Sequence, residues 1–155
     1  MIQFSLSELF FEHSFTIWNP VYKYDIIKLE AVQRRFLKRL DGLHSLSYNM
    51  CRVDRLGLES LYSRRVKADL VKCYKILNNH VCVDVVDSFF TRRVGYHTRG
   101  NCVKLYKIHT ASVRDGHFFS NRVINVWNSL PDTVVSSATV NGFKLKLKSL
   151  NFLLD

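Results

Sequence analysis

The chain has 155 residues, 47% of them hydrophobic and 23% charged, with a formal net charge of +10 at neutral pH. That size and apolar content suit one domain with its own core and exclude an intrinsically disordered chain. The cationic excess points to polyanionic partners, namely RNA, DNA or an anionic membrane surface.

Residues 1–19 hold no Lys or Arg and only two acids, Glu8 and Glu12. The stretch MIQFSLSELFFEHSFTIW is rich in Phe and suits a helix from about Ser7 to Ile17, with Ser7 as its cap. It lacks the basic n-region of a secretory leader, and no segment approaches the roughly 20 apolar residues of a membrane span. The expectation is an intracellular protein, nuclear or cytoplasmic, that does not enter a membrane.

Trp18 to Leu40, WNPVYKYDIIKLEAVQRRFLKRL, predicts the helix around which the rest is organised. Asn19 suits a cap and Pro20 a first-turn position, with Asp25 as a second possible start. At about 100° per residue, Tyr22, Ile26, Leu29, Val32, Phe36, Leu37 and Leu40 fall on one stripe. Lys28, Arg34, Arg35, Lys38 and Arg39 fall on the other side, so one face suits a core and the other presents charge to something acidic.

Asp41-Gly42 stops this helix, since Gly adopts the left-handed cap without strain. Ser47 caps a short helix, SYNMCRVDRL, ended by Gly57. Ser60 begins a longer one, SLYSRRVKADLVKCYKILNN, whose apolar stripe is Tyr62, Val66, Leu70, Cys73, Tyr74 and Leu77. Its remaining face carries Arg64, Arg65, Lys67, Lys72 and Lys75, and Asp69 is expected to pair with Arg65 one turn away. Residues 20–76 thus hold 13 of the basic residues against six acids.

Residues 78–116 read as the loop-rich part. VCVDVVDSFF is a short strand or an irregular apolar loop, TRRVGYHTRGN is a turn-rich connection, and CVKLYKI is at best a short strand. After Gly116 the helical pattern returns: Phe119, Val123, Val126, Trp127 and Leu130 recur at three and four residues, and Pro131 stops the run. A last helix runs from a Thr139 cap through Phe143, Leu145, Leu147 and Leu150 to Phe152; its KLKLK also reads as a strand, but run length and cap favour helix. The predicted fold is mainly α, a small cluster of about five helices with a loop-rich or short-strand middle, in a single domain over residues 1–155.

Cys51, Cys73, Cys82 and Cys102 are irregularly spaced with no CxxC pair, which suits reduced thiols. A zinc site from His80, Cys82, His97 and Cys102 fits no ordinary finger or knuckle, so no metal or other cofactor is expected. Asp84 and Asp87 are the one close acid pair in a possible strand, without a third acid or His beside them. His97, His109 and His117 are each isolated, and no Gly-rich phosphate loop follows a strand. The residues give no reason to assign catalysis. Tyr96, His97 and Arg99, in a predicted loop, have the chemistry to stack on unpaired bases if exposed; Phe119 and Trp127 lie on a helical stripe and are expected in the core.

The wording of several blocks adds a family likeness. WNP, DIIKLEAVQRRFLKRLDGL, LSY, RLGLESLYSRRVKADLVKCYKIL, TRG, FFSNRVINVWNSLP and NGFKLKL, taken in that order and spacing, resemble the carboxyl-terminal tail of the reverse-transcriptase polyprotein of non-LTR (LINE-type, Jockey-like) retrotransposons. The resemblance spans about Trp18 to Leu150 and implies a segment downstream of the polymerase palm, thumb-adjacent and facing nucleic acid. That family copies element RNA into DNA, but its metal-binding carboxylates have no counterpart here to carry over. At the amino end the likeness begins only near Glu12, so Met1 is expected to start a reading frame within a truncated or decayed element.

The expected function is therefore sequence-independent binding of RNA or DNA through the phosphate backbone, by Lys28, Arg34, Arg35, Lys38 and Arg39 with Arg64, Arg65 and Lys72 as a second patch. Two other readings stay open. The chain is a helical interaction module docking on an upstream polymerase domain, or a decayed product with no selected role.

Overall fold

The computed structural model describes residues 19, 20, 22–39, 47, 56–81, 90–93, 101–150 and 152. Within them the chain is mainly α, as its periodicity predicts. The elements are α1 (Lys23–Leu37), α2 (Leu61–Leu77), β1 (Thr91–Arg92), β2 (Leu105–Tyr106), α3 (Val113–Gly116), α4 (Phe119–Ser129), α5 (Asp132–Val135) and α6 (Val140–Lys148). The expected helices over Ser7–Ile17 and after Ser47, and the VCVDVVDSFF segment, lie wholly or largely outside the described residues.

Helix α2 is the centre, with α1, α4 and α6 all packed against it. Its start follows from Ser60, whose Oγ accepts from the backbone N of Ser63 at 3.1 Å and so satisfies a donor left unpaired at a helix start. Its end follows from two asparagines: Asn78 Nδ2 donates to Tyr74 O at 2.9 Å, and Asn79 takes the left-handed conformation, φ 56°, in which Asn is among the better tolerated residues. Between them Leu70, Cys73, Tyr74 and Leu77 join Val123, Ile124 and Trp127 of α4, Val134 and Val135 of α5, and Phe143 and Leu147 of α6 in one core. The Tyr74 and Phe143 rings stack at 4.4 Å, and Trp127 lies tilted 6.0 Å from Phe143.

Helix α6 resolves the KLKLK ambiguity. Phe143 and Leu147, four residues apart, are buried, whereas Leu145 is 65% exposed; a strand would have put Leu145 and Leu147 on one face. Thr139 caps it, accepting from Gly142 N at 3.1 Å, and it ends at Lys148, short of the expected Phe152. Helix α4 ends before Leu130–Pro131, where Leu130 is extended (φ −65°, ψ 144°) as a residue preceding proline prefers.

Helix α1 departs from its predicted form. It starts at Lys23 with no side-chain cap; Asn19 Oδ1 instead accepts from Arg65 Nη1 at 3.4 Å, and Pro20 is buried. Of the described residues of the predicted stripe, Ile26 and Leu37 are buried and Leu29 half-buried, while Tyr22, Val32 and Phe36 stay exposed; Leu40 lies outside the described residues. The reason is geometric: α1 packs chiefly on α2 and buries a narrow line rather than a broad face.

The CVKLYKI segment supplies the short strand expected of it. Strands β1 and β2 pair antiparallel, Thr91 opposite Tyr106 and Arg92 opposite Leu105, and Arg93 N donates to Lys104 O at 2.8 Å. The pair is held on α4 by side chains. Asn128 accepts from Leu105 N and donates to Leu105 O, both at 2.9 Å, so one amide satisfies both backbone groups as a neighbouring strand would. Trp127 Nε1 donates to Val103 O at 2.8 Å, and Asn101 Nδ2 donates to the Trp127 and Leu130 carbonyls at the end of α4.

Candidate nucleic-acid interface

Helix α1 presents the first predicted patch intact. Ile26 and Leu37 fix its inner line, and Glu30 Oε1 accepts from Tyr62 N at 2.9 Å, tying α1 to the start of α2. Lys28, Arg34, Arg35, Lys38 and Arg39 are all exposed. At 3.6 residues per turn the five fall within an arc of roughly 140°. Lys28 Nζ lies 4.2 Å over the ring of Tyr24, itself 66% exposed, so an aromatic face sits among the cations. Beside this arc Leu29 is half-buried and Val32 and Phe36 are exposed, forming an apolar margin to the charge.

The second patch does not hold together. Arg65 is 2% exposed: its Nε donates to Leu61 O at 3.2 Å and its Nη1 to Asn19 Oδ1 at 3.4 Å. Burial lowers its pKa, opposed by the charges of Glu30 and Asp69. It therefore faces inward and presents nothing to a phosphate. Arg64 and Lys72 are half-buried, and Lys67 is paired with Glu59 at 2.6 Å. The physical cause is that α2 meets helices on more than one side, so its buried arc extends past the apolar stripe to take in Arg65, Asp69 and Ile76.

Asp69 also finds a different partner from the one expected. Arg122 of α4 grips it with two parallel bonds, Nε to Oδ2 at 2.8 Å and Nη2 to Oδ1 at 2.9 Å, while Arg122 Nη1 donates to His117 O at 3.1 Å. Burial lifts the Asp69 carboxyl above its usual range and the Arg122 bonds oppose that shift. Arg122 drew no attention in the sequence, because its partner lies 53 residues away; a lone Arg in the first turn of an otherwise uncharged helix was the available signal.

Tyr96, His97, Arg99, Asp84, Asp87, Cys51 and Cys82 lie outside the described residues. Among the described residues no group of three or more His, Cys, Asp or Glu is placed to hold a metal ion, and no helix is long and apolar enough to cross a membrane. Cys73 is buried, which pushes its thiol pKa far up; Cys102 is exposed, and its hydrogen bond with Asp132 raises its thiol pKa. Alkylation of the native protein, read by peptide mass spectrometry, should label Cys102 and spare Cys73 until the chain is unfolded. Asp132→Asn should speed labelling of Cys102 by removing the carboxylate that disfavours its thiolate. Equal native labelling of Cys73 and Cys102 would contradict the packing described for α2.

No protein-family model, no curated protein and no solved structure matches this chain.

Proposed function

We propose that this chain binds RNA or DNA through the phosphate backbone without reading sequence, as a post-polymerase segment of a LINE-type retrotransposon reverse transcriptase. The observation that carries the binding reading is the arrangement of α1: five cations stand exposed on one side of a helix whose opposite line is locked to α2. Such a helix holds its charges at fixed spacing along its axis, which suits a partner that is itself a regular line of charge. The element-tail reading rests on the ordered sequence blocks. The site residues are Lys28, Arg34, Arg35, Lys38 and Arg39; Arg64 and Lys72 contribute at most from the margin, and Arg65 is withdrawn.

The test is binding of labelled mixed-sequence oligonucleotides, single-stranded and duplex. Lys28, Arg35, Lys38 and Arg39 changed together to Gln should weaken binding about tenfold or more, the equivalent of losing one charge-assisted contact. Lys144→Gln with Lys148→Gln, which removes two charges from the exposed face of α6, should weaken it far less per charge removed. An equal loss in log affinity per charge removed from the two variants would mean that only net charge matters and would remove α1 from the role.

One observation favours a second reading. The apolar margin of α1, with Val32 64% and Phe36 49% exposed, is the kind of surface an upstream polymerase domain would cover. The margin adjoins the cationic arc at Arg39 and Lys28, so a domain docked on it leaves Arg34, Lys38 and Arg35, further round the helix, to nucleic acid.

A further inference from the structure

The β1–β2 ribbon carries side chains that the account of α1 does not use. Its register places Thr91 opposite Tyr106 and Arg92 opposite Leu105, and the bond from Arg93 N to Lys104 O continues that register by one pair. Side chains alternate between the two faces of a strand, so Arg92 and Leu105 share one face, and Thr91, Arg93, Lys104 and Tyr106 share the other. The first face is committed to the fold. Leu105 is buried, and Arg92 Nη2 donates to Leu77 O at 2.7 Å, a cation set at the carbonyl end of α2.

The second face looks outward. Tyr106 is 54% exposed, Thr91 and Arg93 are exposed, Lys104 is half-buried, and Lys107 and Ile108 beyond the strand are exposed. In an antiparallel pair, diagonal neighbours stand about 7–8 Å apart, which sets Arg93 at that range from Tyr106; Lys104, two residues along the strand, is about as far. The ring therefore shares its face with two cations, Arg93 and Lys104. It also stands on backbone that cannot easily shift, because Asn128 holds both backbone groups of Leu105 and Trp127 holds Val103.

A rigidly mounted aromatic face with cations beside it has the chemistry that single-strand binders use: the ring stacks on a base while the cations hold the neighbouring phosphates. A paired base is not available to it, since both faces of that base are already stacked within the duplex. We propose that the outer face of the β1–β2 ribbon is a second contact site, specific for an unpaired nucleotide of RNA or DNA, with Tyr106 stacking on the base and Arg93 and Lys104 attracting the flanking phosphates. This rests on the reading of the chain as a nucleic-acid binder and adds to it a preference for unpaired strands, which the cations of α1 do not confer.

The test compares the native chain, Tyr106→Ala and Tyr106→Phe on one mixed-sequence single strand, as RNA and as DNA, and on its duplex, with circular dichroism reporting the fold. Tyr106→Ala should weaken single-strand binding about five- to 150-fold, the span of one base–aromatic stack, and leave duplex binding within about twofold. Tyr106→Phe keeps the ring and should bind both as the native chain does. Unchanged single-strand binding by Tyr106→Ala, or equal losses on strand and duplex, overturns the inference and leaves the α1 reading standing. A native chain that binds neither form overturns both.

Discussion

Asp69→Ala should destabilise the fold by about 3–5 kcal/mol, the usual cost of removing one partner from a buried ion pair. Asp69 and Arg122 have side-chain exposures of only 7% and 12%, and Arg65 lies one turn before Asp69 on α2, itself 2% exposed. Without the carboxylate, two guanidinium groups share a space with little water, and Glu30 is the remaining acid whose charge acts on Arg65. The loss is therefore of an uncompensated charge rather than of one bond. Asp69→Leu combined with Arg122→Leu removes both charges and should cost well under the sum of the two single changes, because apolar replacement of a whole buried pair is often close to neutral. Urea denaturation of the three variants measures this. A loss below about 1 kcal/mol for Asp69→Ala would place the pair in the range of exposed ion pairs.

Trp127→Ala should cost about 3–5 kcal/mol as well, by a different route. The indole is 1% exposed and packs beside Phe143, which stacks on Tyr74, so truncation opens a hole where α4, α6 and α2 meet. It also strips the Val103 carbonyl of its donor and frees one anchor of the β ribbon. Trp127→Phe restores most of the volume but not that bond, and should recover part of the stability. Thermal unfolding measures both; an unchanged midpoint for Trp127→Ala would mean that the core described here is not the core of the protein. Against a total stability of about 5–15 kcal/mol, either Ala change is a large fraction.

These two sites also show where sequence reasoning reached and where it stopped. Trp127 was legible because it lies on a run of apolar residues at three- and four-residue spacing; the same logic located Cys73 and Phe143, and capping preference located Ser60 and Thr139. The cationic face of α1 was legible for the complementary reason: its charges lie off any stripe that has to be covered. Periodicity says which face of a helix is apolar but not how many neighbours the helix has. Among the described residues helix α2 packs against α1, α4 and α6, so Arg65, on paper a surface cation, is enclosed. Helix α1 packs chiefly on α2, so Val32 and Phe36, on paper core residues, are left outside. The Asp69–Arg122 pair joins elements far apart in the chain, and no local pattern reports that.

Phosphate contact by the cations of α1 is the property on which nucleic-acid binding depends. Phosphate contact releases condensed counterions, so the logarithm of the affinity falls linearly with the logarithm of salt concentration, by about 0.7–0.9 per contact. Binding of one mixed-sequence oligonucleotide across a salt series, for the native chain and for the variant with Lys28, Arg35, Lys38 and Arg39 changed to Gln, reads that number directly. The expected result is a slope shallower by up to about three in a variant whose circular dichroism is native, since exposed changes of this kind cost within about 0.5 kcal/mol each. A folded variant with the native slope would contradict the account, and the charge of α1 would then serve solubility while the apolar margin of the same helix became the surface to explain.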